Sequence, residues 1–327
     1  MHKKALLIGI NKYPKGYELN GCVNDINSVK GTIEKNGDGS PNFDVKLLPD
    51  VQTSKEVMSE IENLFDGSAE TALLYFSGHG YENTTGAEIV LPQNIEEAGQ
   101  YYSGIQMTTI MDIVNRSKSR NKIIILDCCH SGHLSNYSIN ESVSIINAGV
   151  SILTACRGNE YAVESGCNGI FTKLLCEALN GGAADFCGNI TIGSIYAFID
   201  RALGPWDQRP VFKTNVTEFF PMKKIVPKVS TDTIRQLKDL FEDSNSNYCL
   251  SPSYEETNKL ENTIKPIEPY ANEENVSTFK CLQQLQSIGL VEPVDCDYMY
   301  YAAMESKSCR LTEIGKYYWQ LSKNGRI

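Results

Sequence analysis

The chain is poor in histidine and tryptophan, with four and two in 327 residues, and no apolar run approaches the roughly 20 residues of a membrane span. Cations are in deficit. Thirty Lys and Arg against 40 Asp and Glu leave a net charge of -10, which argues against a protein that coats nucleic-acid phosphates, because that affinity needs clustered positive charge. Cys-x-x-Cys pairs are absent, and eleven cysteines with no export signal fit the reduced thiols of a cytoplasmic protein better than a disulfide framework. A leader peptide is not expected at the start: Ala5-Leu6-Leu7-Ile8-Gly9-Ile10 is short, and Asn11-Lys12-Tyr13-Pro14 offers no small-residue cleavage site. That run fits a first buried strand. Internal repeats and low-complexity tracts are missing too.

What is present is a globular composition, 41% hydrophobic and 21% charged, at a length that suits about two domains. From residue 4 to about 220, strand-length apolar runs (4–10, 43–48, 71–76, 122–127, 150–154) alternate with helical patterns (24–36, 54–65, 105–115, 171–179, 192–203). Continuous runs such as Ile123-Ile124-Ile125-Leu126 suit the centre of a parallel sheet covered on both faces, an α/β sandwich whose sites lie beyond the carboxyl ends of its strands. A boundary falls at the prolines 221 and 227, which separates a first domain (1–222), a linker (223–230) and a C-terminal domain (231–327). From residue 228 onward there are 11 basic and 15 acidic residues. There, 276–290 predicts an amphipathic helix, 299–311 a β-hairpin, and 312–321 a closing helix capped by Thr312. Helix, hairpin, helix suits a small winged-helix-like α+β module or another small interaction domain.

Two motifs carry chemistry. His79, in Ser77-Gly78-His79-Gly80, and the cysteines of Asp127-Cys128-Cys129-His130-Ser131-Gly132 each follow an apolar strand of one parallel sheet. Neighbouring strand ends can bring them together. A thiol is a poor nucleophile at neutral pH until a base or cation raises its thiolate fraction, and a Cys–His pair supplies that. A zinc site made of Cys128, Cys129, His130 and His133 is set aside, because adjacent cysteines on a strand point to opposite faces.

These motifs give the chain a resemblance to the caspase-like cysteine peptidases, and among them to the metacaspases and their bacterial relatives. The resemblance rests on residues 5–11, Leu19-Asn20-Gly21-Cys22-Val23-Asn24-Asp25, the two motifs above, Thr154-Ala155-Cys156, Gly169-Ile170-Phe171-Thr172 and Gln208-Arg209-Pro210, in family order over roughly residues 4–220. It implies a three-layer caspase-like sandwich with Cys129 as nucleophile and His79 as base and then acid. It further implies an oxyanion hole from the N–H groups of Gly80 and Cys129, and a pocket for the residue before the cut (P1) built from Cys22, Asp25, Ser77 and Asp127. Two carboxylates in that pocket suit Arg or Lys and repel an acidic P1 side chain.

Many metacaspases bind calcium through aspartates beyond the catalytic His. Residues 81–100 hold Glu82, Glu88, Glu96 and Glu97 but no Asp, so calcium and other cofactors are not expected. Residues 130–156 contain no Lys, Arg or Asp, so an enzyme cutting after basic residues cannot process itself there. Lys223 and Lys224 offer a processing site in the linker, or else an uncut surface segment. The C-terminal domain, whose helix 278–288 has Lys280 as its one base, suits an activating protein partner better than nucleic acid. The alternative from another class is a catalytically silent caspase-fold scaffold.

Overall fold

The computed structural model describes residues 2–83, 86–96, 101–129, 146–155, 164–165, 168–204, 210–261 and 265–327. The chain divides into two compact units, Met1–Val226 and Pro227–Ile327. Among the described residues, no helix is long and apolar enough to cross a membrane.

In the first unit the apolar runs become β1 (Lys3–Gly9), β2 (Phe43–Pro49), β3 (Thr71–Asn83), β4 (Gly86–Ile89), β5 (Ile105–Gln106), β6 (Asn121–Cys129) and β7 (Val150–Thr154). Short pairs follow at β8 (Glu164–Ser165) and β9 (Asn168–Gly169), then β10 (Asn189–Ile190), β11 (Val211–Asn215) and β12 (Lys223–Lys224). The main sheet runs β11-β7-β6-β3-β1-β2, with β4 paired to the far end of β3 and β5 to β4. Strands β2, β1, β3, β6 and β7 are mutually parallel, and β11 closes the β7 edge antiparallel.

Alternation along these strands makes two cores. Leu6, Ile8, Leu74, Phe76, Ile124 and Leu126 pack on one face with residues of α2 (Ser54–Phe65) and α3 (Met107–Arg116). Ala5, Leu7, Leu73, Tyr75, Ile123 and Ile125 pack on the other with α1 (Cys22–Ile33), α4 (Ile170–Glu177) and α5 (Ile192–Ala202). The three-layer sandwich expected from the sequence is therefore present.

Three differences from the expected elements have local causes. Strands β3 and β6 run past 76 and 127, so His79 lies within β3, where its pairing with β6 ends, and Cys129 is the last residue of β6, rather than either following its strand in a turn. A Cβ at Gly78 would lie 2.7 Å from the Tyr13 hydroxyl and 2.8 Å from the Phe76 ring, so glycine there serves close packing rather than a turn. The stretch 105–106 is a strand, and its helix starts at Met107. Third, the expected linker is not a free tether at its start. Lys224 N–H donates to Asn36 Oδ1 (3.1 Å), its carbonyl accepts from Gly37 N–H (2.8 Å), and Lys3 Nζ donates to the Pro221 carbonyl (2.7 Å). Asn42 Nδ2 holds the Met222 carbonyl at 2.9 Å, and Lys223 is buried. The division between units thus falls after Val226 rather than after residue 222, and the Lys223-Lys224 peptide is clamped inside the first unit.

The second unit begins with α6 (Thr231–Arg235) and α7 (Leu237–Leu240). It continues through β13 (Asn247–Cys249), α8 (Glu273–Ser287), β14 (Val291–Pro293), α9 (Met299–Met304), β15 (Ser308–Leu311) and α10 (Glu313–Lys323). Its antiparallel sheet has the order β13-β15-β14. The expected hairpin over 299–311 is corrected: residues 299–304 are helical, Ser306 turns the chain at φ 53°, and β15 pairs with strands outside that window. Thr312 caps the last helix by accepting Gly315 N–H at 3.0 Å, and the buried Trp319 indole donates to the Phe241 carbonyl at 2.9 Å.

Helix α1 sits hard against β1 because Gly9 has no side chain: a Cβ there would lie 2.3 Å from the Cys22 carbonyl oxygen. Gly9→Ala should therefore destabilise the first unit by about 1–3 kcal/mol. Gly31→Ala, in the same helix but facing open space, should stabilise it by about 0.5–1 kcal/mol. Urea unfolding followed by far-UV circular dichroism checks both signs, and an unchanged midpoint for Gly9→Ala would contradict the close approach.

Candidate active site

The parallel register of β3 and β6 pairs Ser77 with Asp127, Gly78 with Cys128, and His79 with Cys129. Paired strands lie about 4.8 Å apart, so the backbones of His79 and Cys129 are immediate neighbours although the residues are fifty positions apart in the chain. Cys128 belongs to the core under α2 and α3, on the opposite strand face by parity from Asp127. Gly80 follows His79 on β3, where a Cβ would lie 3.0 Å from that of Cys128.

His79 is buried, and its Nε2 lies 2.8 Å from the Tyr17 carbonyl oxygen. A carbonyl can only accept, so Nε2 carries the proton and the neutral ring keeps its lone pair on Nδ1. The Tyr13 hydroxyl accepts His79 N–H at 3.0 Å and donates to the Val90 carbonyl at 3.0 Å. Its ring lies 4.5 Å from the imidazole, centroid to centroid. The loop carrying both tyrosines is tied down by Asp50, which accepts Asn11 N–H at 2.8 Å and Lys12 N–H at 3.0 Å. Those bonds hold the Asp50 carboxyl below its usual range even though partial burial opposes them.

The four expected pocket residues come from three elements, α1, β3 and β6, on this face of the sheet. Cys22 and Asp25 lie in the first turn of α1, and both are buried. Ser77 Oγ donates to Asp25 Oδ2 at 2.9 Å. Asp127, also buried, accepts from Thr172 Oγ1 at 2.6 Å. The Tyr75 hydroxyl lies 2.5 Å from that same Thr172 oxygen. Burial pushes the Tyr75 phenol well up, and the charges of Asp127, Asp25 and Cys22 raise it further.

Glu88, in β4, is buried, and its carboxylate accepts from Tyr101, Gln106, Ser103 (3.1 Å) and Gly104 N–H (2.7 Å). Glu96 accepts from the Tyr102 hydroxyl at 2.9 Å. A carboxylate ringed by four donors does not fit a calcium ligand, which must offer its oxygens to the cation. Among the described residues no cluster of three or more His, Cys, Asp or Glu is arranged to hold a metal. Glu97, His130, His133, Cys156 and Gln208-Arg209 lie outside the described residues, as does most of 130–156.

The sequence did not single out Tyr13, Tyr17 or Tyr75; it placed Thr172 only in a marker string and Glu88 only in the stretch weighed for calcium. A backbone carbonyl such as that of Tyr17 leaves no trace in residue type. Tyr75 reads as one more apolar strand residue.

A family model described as Caspase domain (Peptidase C14) matches residues 2–237. Metacaspase-8 of Arabidopsis thaliana is 35% identical over 150 residues, which are 41% of this chain and 38% of that protein. Metacaspase-1 of Candida albicans is 30% identical over 151 residues (40% and 33%), and Metacaspase-1 of Mycosarcoma maydis 27% over 199 (52% and 48%). These alignments span less than half the length of each relative. The solved structure of protein GSU0716 from Geobacter sulfurreducens aligns with 68% of this chain and all of that one at 17% identity and a TM-score of 0.49, too slight a likeness to add weight. The family match runs through both strand-end motifs and covers most of the sequence: the chain belongs to the caspase-domain family.

Proposed function

We propose that the chain is a cysteine endopeptidase that hydrolyses protein substrates after Arg or Lys. The observation that carries this reading is the pairing of His79 with Cys129 at the carboxyl ends of adjacent strands. In the proposed reaction, Nδ1 of His79 takes the Cys129 thiol proton, and the charged ring is steadied by the Tyr17 carbonyl on Nε2. The thiolate attacks the scissile carbonyl, the oxyanion forms beside the N–H groups of Gly80 and Cys129, and the amine leaves with the proton returned by His79. Water then attacks the thioester with His79 as base, releasing the acid and the thiol. A basic P1 side chain is supported by Asp25 and Asp127, two buried carboxylates, the first held by Ser77 and the second paired in register with that same Ser77.

The second unit is proposed to be a winged-helix-like module that receives an activating protein partner. Lys280, the one base on the helix face that would meet DNA, pairs with Glu256 at 2.8 Å, which favours protein over nucleic acid. Activation by cutting at Lys223-Lys224 is disfavoured by the clamp on that peptide, since a protease needs it extended and released. A regulated role in cell death or defence is proposed from the metacaspase likeness.

A positional-scanning library of fluorogenic peptides should return Arg and Lys at P1. Cys129→Ala should lower turnover by about a thousandfold or more, and Asp25→Asn should lower kcat/KM for Arg-P1 peptides by about tenfold or more. Absence of both turnover and labelling by an arginyl chloromethylketone, with candidate activators added, would instead favour a silent scaffold. Chelation by EDTA followed by addition of calcium should change kcat/KM by less than about twofold, because Glu88 is committed to protein donors. An absolute calcium requirement at sub-millimolar affinity would overturn that expectation.

A further inference from the structure

Behind the pocket lies a feature that the reaction scheme does not use. Tyr75 and Thr172 are both fully buried, and their hydroxyls lie 2.5 Å apart. Thr172 has one proton, and its bond to the Asp127 carboxylate at 2.6 Å consumes it. The Tyr75 hydroxyl must therefore donate to Thr172, which makes a one-way chain, Tyr75 to Thr172 to Asp127. Asp127 Oδ2 also sits in a notch at Gly169, where a Cβ would lie 3.2 Å from it. This notch is the entrance to α4, where a carboxylate is favoured by the helix dipole.

Two hydroxyls in an apolar core are costly to keep when Phe and Val would fill the same space. We infer that Thr172 and Tyr75 are positioning residues that orient the Asp127 carboxylate as acceptor for the basic P1 side chain. This inference rests on the Arg/Lys specificity proposed above. A hydroxyl that donates to a carboxylate fixes its rotamer and strengthens its ionised form without cancelling its charge. The Tyr75 bond polarises the Thr172 hydroxyl and prevents it from turning toward the helix backbone. The Gly169-Ile170-Phe171-Thr172 segment thereby gains a task in specificity: the glycine makes room for the carboxylate and the threonine aims it.

The test compares full-length wild type with Thr172→Val, Thr172→Ser and Tyr75→Phe on an Arg-P1 peptide. Alkylation of Cys129 by iodoacetamide, read by peptide mass spectrometry, serves as a readout that needs no P1 side chain. Thr172→Val should lower kcat/KM by about ten- to a hundredfold, mostly through KM, and leave the alkylation rate unchanged. Thr172→Ser should stay within about twofold of wild type, and Tyr75→Phe should lose a few-fold in the same direction. Unchanged kcat/KM in Thr172→Val overturns the inference, and so does a loss matched by equally slowed alkylation, which would mark a purely structural role. Should Thr172→Val not fold, Tyr75→Phe decides by the same two readouts. A wild type that cuts after residues other than Arg and Lys would instead fail the specificity proposal itself.

Discussion

The site depends on one run of backbone pairing, the parallel register that joins β3 to β6 from Thr71 opposite Asn121 to His79 opposite Cys129. Register in such a sheet is held by side chains that must all face the correct core. Slipping β3 by a single residue would turn Leu73 and Tyr75 to the wrong face, and slipping β6 would do the same to Ile123 and Ile125. The hydrophobic interior therefore specifies which histidine meets which cysteine. Two rows further into the sheet, the same register sets Ser77 beside Asp127, so the His79–Cys129 row and the Ser77–Asp127 row cannot be adjusted independently.

Around that register, the three buried carboxylates among the described residues are received by uncharged donors. Asp25 is held by Ser77, Asp127 by Thr172, and Glu88 by two hydroxyls, a side-chain amide and a backbone N–H. Donors of this kind orient a carboxylate and leave its charge in place, whereas a lysine at the same distance would cancel it. The basic P1 side chain proposed above would be better served by the first arrangement.

Much of this was legible in the residues. The alternation of apolar strands with helical patterns predicted the parallel sheet and its covering helices, because continuous Ile and Leu runs can be buried only between two layers. His79 and the Cys128-Cys129 pair stood out because glycines surround a scarce residue type at the ends of two such runs. What stayed hidden was contact between distant residues that look ordinary in sequence. Tyr13 reads as a loop aromatic, yet its hydroxyl bridges His79 to Val90. Thr172 reads as a helix residue, and only folding places it over Asp127. The hairpin expected at 299–311 failed for a related reason. Its alternation of tyrosines and small residues suits either period, and packing of Met299, Ala302 and Ala303 into the core of the second unit decided for a helix.

The clamp on residues 221–225 also has a mechanical side. The covalent path from the second unit enters the first through a peptide gripped by Asn36, Gly37 and Asn42, and by Lys3 at the start of the inner strand β1. Tension on that path is shared among several hydrogen bonds, one of them carried by the sheet strand β1 through Lys3. Force applied beyond Val226 would thus meet an anchored cable rather than a slack tether.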